Sequence, residues 1–364
     1  MIKTEYYKDL TAMNTFGMKV KAKCFMEYDS VADLVDIEFE ELTRPVLHIG
    51  GGSNLLFTDD FKGTVLHSKI NFIEILDECH SVPETPSQAN GTLSDEKVLV
   101  SVGSGVIFDD FCDWAAKEGL WGVENLSYIP GEVGASAVQN IGAYGVEVKD
   151  VIRTVYCYDT EEEEFVKFDV DECEYGYRDS VFKDPEIKGR YIVTHVVFAL
   201  SREPQPKLEY GHLKASVEEA VAASGKQLSP ALIRKVIIRI RKEKLPEPSV
   251  MGSAGSFFKN PVITMEHFQK IEAAAKADLG ADYKVPHYDL PDGTVKVPAA
   301  WMIEQCGWKG RRSGGAAIYE KQPLVIVNYT GEAYPEEIIG LEKRVIASVK
   351  EKFNVQLHPE VEHI

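Results

Sequence analysis

One serine in the last third of the chain lies in surroundings that suit a proton donor. Ser256 belongs to the run 252-GSAGSFFKNP-261, after a flexible Gly-Ser-Ala-Gly approach and before two phenylalanines. The glycines free the backbone to present the hydroxyl, and Phe257 and Phe258 can keep water away from it. A hydroxyl in such a run can equally be a turn residue or the N-cap of a following helix. The residues by themselves leave both roles open.

A glycine-rich turn near the N-terminus has a backbone that could hold a phosphate. The turn 50-GGGSN-54 directly follows the apolar run 45-PVLHI-49. It is not a P-loop, because the Lys-Ser/Thr ending is missing, and it is not a dinucleotide fingerprint, because Leu55 stands where a third glycine is needed. Glycine-rich turns are more often structural than functional. This turn alone therefore does not define a site.

A second glycine-rich segment, 128-YIPGEVGASAVQNIGAYGVE-147, strengthens the case for a ligand. So many small residues in an apolar run allow the backbone to approach a large flat ligand, or another backbone, very closely. Packing against a helix would explain the small residues, but it would leave the side chains of Gln139, Asn140 and Tyr144 without a role.

Seven motifs together resemble one known family. They are HIGGGSNLLF, YIPGEVGASAVQNIGAYG, YGYRDSVFK, LEYGHL, KLPEP, GSAGSFFKNP and HPEVEHI, and they run in order from residue 48 to residue 364. In this combination the chain resembles the UDP-N-acetylenolpyruvoylglucosamine reductase family, in its longer-loop class with a substrate-capping tyrosine. Each motif is weak alone, but the set is highly specific and covers nearly the whole chain.

The resemblance implies an α+β protein with a two-part FAD-binding domain of the vanillyl-alcohol-oxidase type and a C-terminal α+β substrate domain. The two glycine-rich segments would wrap the flavin and its diphosphate. The residues concerned are Gly50, Gly51, Gly52, Ser53, Asn54, Ile129, Pro130, Gly131, Gly134, Ala135, Gln139, Asn140, Gly142, Ala143, Tyr144 and Gly145. Glu132 departs from the family, where many relatives carry a small hydroxyl. A desolvated carboxylate facing a diphosphate is costly, so we expect Glu132 to point to solvent or to pair with a cation.

The resemblance also implies the reaction. Such an enzyme is an FAD-dependent oxidoreductase that uses NADPH to reduce UDP-N-acetylenolpyruvoylglucosamine to UDP-N-acetylmuramate for peptidoglycan, and so serves cell-wall growth, cell shape and division. Ser256 matches the family's proton donor to carbon. Arg178, in 175-YGYRDS-180, matches the group that grips the substrate carboxylate, and Glu360, in 358-HPEVEHI-364, matches a second acidic helper.

The expected substrate contacts are less specific than the catalytic positions. Tyr210, in 208-LEYGHL-213, resembles the loop tyrosine that folds over the substrate diphosphate. Lys244 resembles a lysine near the pyrophosphate, although a lysine that ends a basic helix is as often a partner of the helix dipole. The remaining expected contacts are Tyr177, Asn260 and Gln305, and Gln305 could be an ordinary helix-face amide.

Two other functions are compatible with parts of the sequence. An FAD-dependent alcohol or sugar oxidase of the same fold would need a general base, and His48, His67 or His195 could tether its flavin covalently. The set of Arg178, Ser256 and Glu360 fits reduction of an acidic enol ether better. A nucleotide-sugar binding module that has lost the flavin would not need the intact glycine turns.

Composition limits the partners and the compartment. The chain has 364 residues, 44% of them hydrophobic, and its 40 basic and 58 acidic side chains give a net charge of −18. Such a charge repels a phosphate backbone, so we expect no nucleic-acid partner. Six scattered cysteines without metal-ligand spacing, and no 18-residue apolar run, indicate a cytoplasmic protein without metal or membrane contact. We expect a monomer whose partners are the UDP-sugar and NADPH.

Hydrophobic periodicity predicts strands first and helices later. Strands are predicted over 45–49, 64–69, 70–76, 98–102, 151–159, 164–170 and 190–200, and helices over 107–118, 231–244, 265–279, 299–306 and 335–353. The polar stretch between Asp77 and Lys97 is predicted to be an exposed inserted loop. We expect FAD-binding subdomains over 1–70 and 71–203, the latter joined by 350–364, and a substrate domain over 204–349.

Overall fold

The computed structural model describes residues 1–76 and 97–364, so the predicted inserted loop and Cys79 lie outside the described residues. The chain divides into two compact units. The first comprises Met1–Lys8, Ala22–Gly51 and Phe61–Glu243, and the second comprises Asp9–Lys21, Gly52–Asp60 and Lys244–Ile364. These units do not coincide with the three predicted segments, because 350–364 lies in the second unit and 204–243 in the first. The three-domain division stays a prediction.

Short strands make up much of both units. In chain order they are β1 (Lys3–Asp9), β2 (Lys21–Tyr28), β3 (Val46–Ile49), β4 (Leu55–Leu56), β5 (Phe61–Ser68), β6 (Ile73–Ile75), β7 (Lys97–Gly103), β8 (Gly142–Ala143), β9 (Val146–Glu147), β10 (Ile152–Asp159), β11 (Glu164–Asp169), β12 (Tyr191–Ser201), β13 (Gly252–Ser256), β14 (Val262–Thr264), β15 (Tyr288–Asp289), β16 (Thr294–Lys296), β17 (Arg312–Ser313), β18 (Ala316–Ile318), β19 (Val325–Asn328) and β20 (Glu362–His363).

The helices concentrate in the later part of the chain. They are α1 (Val31–Val35), α2 (Phe108–Lys117), α3 (Val133–Gln139), α4 (Leu213–Ser224), α5 (Pro230–Lys244), α6 (Met265–Leu279), α7 (Ala299–Gln305) and α8 (Pro335–Phe353). Short 3-10 turns lie at Thr11–Met13, Phe39–Glu41, Glu124–Leu126, Val148–Asp150 and Val181–Lys183. This mixture of segregated strands and helices confirms the predicted α+β class.

Two large sheets and the two-stranded sheet β8-β9 lie in the first unit. One has the strand order β1-β2-β5-β3, with β5 parallel to both β2 and β3. The other has the order β11-β10-β12-β7-β6 with antiparallel pairing. Helix α2 packs on this second sheet, with the rings of Phe111 and Phe198 4.6 Å apart. Helices α4 and α5 share a separate apolar cluster around Trp121.

The second unit combines small sheets with long helices. Its largest sheet has the order β13-β19-β18-β17, a second has the order β14-β16-β15, and β20 pairs in parallel with β4. The predicted apolar stripe of α8 is buried at Ile338, Leu341, Val345 and Val349. This burial confirms the helical period read from the sequence.

Helix boundaries follow local signals. The pair Ser229-Pro230 predicts an N-cap followed by a proline at the first position of α5. The structure confirms this start, because the Ser229 hydroxyl accepts a hydrogen bond from the backbone N–H of Leu232 at 3.3 Å. Thr264 caps α6 through the N–H of His267, so the alternative that Ser256 caps this helix is wrong. Helices α1, α3 and α4 were not predicted, and α3 lies inside the second glycine-rich segment.

Candidate active site

The two predicted glycine-rich segments meet in the first unit. A Cβ on Gly51 would stand 3.3 Å from the Cα of Gly131, and a Cβ on Gly50 would stand 3.0 Å from the Cβ of Ala135. A Cβ would be crowded at both positions, so glycine suits this close approach. Gly134 is small for another reason, because its Cβ would lie 2.8 Å from the Cβ of Ser104. At this position the packing explanation considered from the sequence is correct.

The turn before α3 is fixed by backbone hydrogen bonds. The N–H of Phe108 donates to the carbonyl of Gly131 at 3.0 Å, and the N–H of Val133 donates to the carbonyl of Val106 at 2.9 Å. The N–H of Gly134 donates to the carbonyl of Ser104 at 3.0 Å. The glycine-rich surface is therefore rigid backbone held by the segment that leads into α2.

Glu132 does not point to solvent, since only 7% of the residue is exposed. Its Oε1 lies 3.0 Å from Nε2 of His67, and Nδ1 of the same imidazole lies 3.2 Å from a carboxylate oxygen of Glu27. The predicted orientation toward solvent is therefore wrong, and Glu132 contacts the imidazole of His67 instead. The Oε2 atom of Glu132 lies 3.3 Å from the Cβ position of Gly50, so this carboxylate stands directly against the first glycine turn.

Arg178 is brought to the second glycine-rich segment. It lies in the tight turn between Gly176 and Asp179, with a φ of 56°. Its guanidinium donates to the carbonyls of Asn140, at 3.3 Å, and Gly142. Hydrogen bonds to two backbone carbonyls fix the orientation of the planar guanidinium.

Asn140 ties the Arg178 turn to the end of α3. It is fully buried, adopts the left-handed conformation as the C-cap, and its Nδ2 donates to the carbonyl of Gly176 at 2.7 Å. Gln139 is held by Lys183, whose Nζ donates to its Oε1 at 2.7 Å and to the carbonyl of Arg178 at 3.0 Å. Lys183 was not named as a site residue, although it is the last residue of the motif YGYRDSVFK.

The predicted aromatic contacts partly converge. The rings of Tyr144 and Tyr210 meet edge to face, with centroids 5.9 Å apart, and a Cβ on Gly145 would lie 3.7 Å from the Cβ of Tyr210. Burial raises the pKa of the Tyr144 hydroxyl. The ring of Tyr177 lies 5.3 Å from the Arg178 guanidinium carbon. Tyr210 therefore packs against Tyr144 near the C-terminal end of the second glycine-rich segment. Arg178 donates hydrogen bonds to carbonyls of the same segment.

Arg241 is a further cation that the sequence did not single out. Its Nε donates to the carbonyl of Tyr128 at 3.1 Å, and burial lowers the pKa of its guanidinium. The basic end of α5 was interpreted only as a complement to the helix dipole, so this residue was missed.

In the second unit, Ser256 is the last residue of β13 and is half-buried. The strand pairing with β19 is irregular between Ser253 and Ser256, where Gly255 has a φ of 70°. The rings that follow are fully buried, and Phe257 packs edge-on against Phe16. Buried anchors after a glycine bulge fix where the serine hydroxyl is presented.

The segment after Ser256 pairs with the segment that carries Glu360. The N–H of Glu360 donates to the carbonyl of Phe257 at 2.8 Å, and the N–H of Lys259 donates to the carbonyl of His358 at 2.9 Å. Asn54 also contacts this pair of segments, because its Nδ2 donates a hydrogen bond to the carbonyl of Glu360 at 3.1 Å. Residues about 100 and 300 positions apart along the chain are thus adjacent.

The other predicted substrate contacts, Asn260, Lys244 and Gln305, lie on different elements of the structure. The Oδ1 atom of Asn260 accepts a hydrogen bond from the N–H of Ala299, at the start of α7. Lys244 is exposed at the end of α5, and Gln305 is the last residue of α7. Among the residues that the structure describes, neither side chain hydrogen-bonds to the Ser256 segment. Their substrate contacts stay predictions.

The residues of the first unit fit the flavin that the family resemblance implies. Pro130, Ala135 and Gly145 are exposed along a surface built mostly from backbone. The three histidines considered as covalent tethers are engaged with protein groups. His48 contacts the Tyr28 hydroxyl at 2.7 Å, His67 contacts two carboxylates, and His195 stacks on Tyr156 at 4.3 Å.

Within residues 1–76 and 97–364, no cluster of His, Cys, Asp and Glu side chains could hold a metal ion. In the same residues, no helix combines the length and apolarity needed to cross a membrane. Cys24, Cys112, Cys157, Cys173 and Cys306 are free thiols.

Comparison with known proteins assigns the chain to a family. The model of an FAD binding domain matches residues 22–168, and the model of the UDP-N-acetylenolpyruvoylglucosamine reductase C-terminal domain matches residues 247–364. A UDP-N-acetylenolpyruvylglucosamine reductase from Thermus caldophilus has a similar fold, with a TM-score of 0.62, 23% identity, and coverage of 100% of this chain and 98% of the other.

Similar sequences carry the same name over their whole length. UDP-N-acetylenolpyruvoylglucosamine reductase from Bacteroides fragilis is 48% identical over 98% of both chains. The enzyme of this name from Porphyromonas gingivalis is 41% identical over 98% of this chain and 97% of its own. With matches of this extent, the chain belongs to the UDP-N-acetylenolpyruvoylglucosamine reductase family.

Proposed function

We propose that Ser256, Arg178 and Glu360 carry out the substrate chemistry of an FAD enzyme that uses NADPH to reduce UDP-N-acetylenolpyruvoylglucosamine to UDP-N-acetylmuramate, a step of peptidoglycan precursor synthesis. The reaction follows from membership of the family, whose relatives match at 48% identity over 98% of both chains. When bound, FAD would supply the chemistry of hydride transfer between NADPH and the enolpyruvyl group. Everything else in this reaction depends on groups of the chain itself.

Arg178 has the task of holding the substrate carboxylate. Reduction of the enolpyruvyl group pushes negative charge into that carboxylate, so a fixed cation there lowers the barrier. The guanidinium donates to two backbone carbonyls of the second glycine-rich segment. These two hydrogen bonds orient the guanidinium before the substrate arrives.

Ser256 donates the proton to carbon, and Glu360 assists with a second acidic group. The assignment depends chiefly on one observation, the backbone pairing of Phe257 with Glu360, which places the two side-chain positions on neighbouring segments. A serine hydroxyl is a weak acid and can protonate only a strongly basic carbon. The half-buried position of Ser256 limits access of water to that carbon.

The site residues that remain have binding roles in this proposal. The glycine turns and Gln139 to Gly145 hold the flavin, while Tyr210, Tyr177, Lys244, Asn260 and Gln305 contact the nucleotide sugar. We further propose that the protein works as a cytoplasmic monomer without nucleic-acid or membrane partners. The five free thiols and the charge of −18 support this proposal.

Stopped-flow measurement of the two half-reactions tests the role of Ser256. In Ser256→Ala, flavin reduction by NADPH should change less than about twofold, while reoxidation by the enolpyruvyl sugar nucleotide should slow by at least about 10²-fold. Ser253→Ala, a buried serine three residues earlier on the same strand, should leave both steps near the wild-type rate. Equal losses in both half-reactions of Ser256→Ala would remove this serine from the chemistry.

A further inference from the structure

Asn125 is a buried amide that joins two separate segments of the first unit. It lies in the 3-10 turn Glu124–Leu126, and only 1% of the residue is exposed. Its Nδ2 donates to the carbonyl of Tyr144 at 3.0 Å and to the carbonyl of Lys207 at 2.7 Å. One side chain thus satisfies carbonyls from the second glycine-rich segment and from the connection between β12 and α4.

The orientation of this amide follows from its partners. Both partners are carbonyl oxygens, so each must face an N–H of the side chain. The Oδ1 atom has no protein partner in the part of the chain that the structure describes. The reverse orientation would set Oδ1 against two carbonyl oxygens and leave Nδ2 buried without an acceptor. The side chain therefore acts here as a double donor.

The segment that Asn125 holds carries Tyr210. Lys207 precedes Tyr210 by three residues in a stretch without helix or strand. On the far side, the N–H of Leu213 donates to the carbonyl of Tyr210 at 3.1 Å, and Leu213 is buried in the cluster around Trp121. The exposed Lys207 ammonium also pairs with Asp150 at 3.4 Å, a contact of little energetic weight. Leu208 also packs against the cluster around Trp121, and the amide of Asn125 adds a buried hydrogen-bond donor to the backbone of this segment at Lys207.

We propose that Asn125 is a positioning residue, which fixes Lys207 and thereby sets Tyr210 against the ring of Tyr144. The inference rests on the proposed role of Tyr210 as a substrate contact. Loss of the two donors leaves the carbonyls of Tyr144 and Lys207 without this partner, so the segment exchanges its bond to Asn125 for bonds to water and moves away. Tyr210 then has to be reordered each time substrate binds, which weakens binding.

Two measurements on the flavin-loaded protein test this inference with Asn125→Asp, which keeps the shape and removes both donors. The KM for the enolpyruvyl sugar nucleotide should rise about tenfold or more, while flavin reduction by NADPH stays within about twofold. Trypsin should cut the Lys207–Leu208 bond about tenfold faster, detected as a fragment beginning at Leu208. If this variant fails to retain flavin, Asn125→Ser gives the same comparison with a smaller change.

Ser127→Ala is the matched control, because the Ser127 hydroxyl is buried in the same turn but donates only to the carbonyl of Glu124. It should change neither KM nor cleavage. Wild-type KM and cleavage in Asn125→Asp would overturn the inference, as would faster cleavage with unchanged KM. Tyr210→Ala separates the two ideas, because an unchanged KM in that variant contradicts the substrate role of Tyr210 itself.

Discussion

The guanidinium of Arg178 occupies the space that a side chain on Gly142 would need. A Cβ at Gly142 would stand 2.7 Å from Nη1 of Arg178 and 2.9 Å from the carbonyl oxygen of Val146. The carbonyl of Gly142 is also an acceptor for the same guanidinium. The absence of a side chain at residue 142 is therefore a condition for the position of the arginine.

Gly142→Ala should displace Arg178 and impair the half-reaction that needs it. A shift of about 1 Å in a positioning group can cost roughly 10²-fold in rate, so reoxidation of the flavin by substrate should slow by about that factor. Flavin reduction by NADPH should stay within about twofold in stopped-flow measurements. Gly340→Ala in α8, where a Cβ meets nothing within 4 Å, is the control and should leave both rates unchanged. Normal reoxidation in Gly142→Ala would show that Arg178 is not held as described.

The contact between His67 and Glu132 should be coupled energetically. His67→Ala leaves the Glu132 carboxylate buried without this partner, which should lower the free energy of unfolding by about 3 kcal/mol. Combining His67→Ala with Glu132→Thr removes the carboxyl group that has lost its partner. Threonine supplies the small hydroxyl expected in this family. The double variant should therefore be more stable than His67→Ala alone in urea titrations of the holoenzyme. Strict additivity of the two single changes would show that the contact carries no coupling.

His48 should make the first unit sensitive to acid. It lies two residues before Gly50, contacts the Tyr28 hydroxyl at 2.7 Å, and burial lowers its pKa from 6.5 to about 3. Between these values the unfolded chain binds the proton and the folded protein does not, so stability is complete above pH 6.5 and falls as the pH drops toward 3. At about 1.4 kcal/mol for each pH unit, the loss from this group between pH 6.5 and 5 is up to about 2 kcal/mol.

Urea midpoints and flavin release measured from pH 7 to pH 5 test this prediction. His48→Gln, which keeps an acceptor for the Tyr28 hydroxyl but cannot be protonated, should flatten the pH dependence. His212→Gln changes an exposed histidine and should follow the wild-type curve. A His48→Gln curve as steep as that of the wild type would assign the acid sensitivity to other groups.

The sequence predicted the elements whose signals are local. Hydrophobic period and the Ser229-Pro230 start were enough for α5 and α8, because a helix buries one face and begins at a cap wherever it packs. Helix α3 was missed because its alanines and glycine have no apolar stripe, and their small size serves contacts with Ser104 and Gly50. Such contacts depend on residues that only the folded chain brings near.

The same distinction applies to the site. Gly50, Gly131, Asn140 and Arg178 could be named from motifs, since their types and order are characteristic of the family. The groups that support them could not. His67 lies 65 residues from Glu132, and Asn125 lies 82 residues from Lys207. A hydrogen bond between residues so far apart along the chain produces no periodic pattern that can be recognised in a single sequence.

The central claim is that Ser256, Arg178 and Glu360 act on the same substrate atoms. A crystal structure of the oxidised holoenzyme with bound UDP-N-acetylenolpyruvoylglucosamine, without NADPH so that no turnover occurs, tests it most directly. The account predicts that the Ser256 hydroxyl and the Glu360 carboxyl approach the enolpyruvyl carbons to about 3 to 4 Å, with the Arg178 guanidinium hydrogen-bonded to the substrate carboxylate. A substrate bound with any of these three side chains beyond hydrogen-bonding or van der Waals reach of the enolpyruvyl group would contradict it.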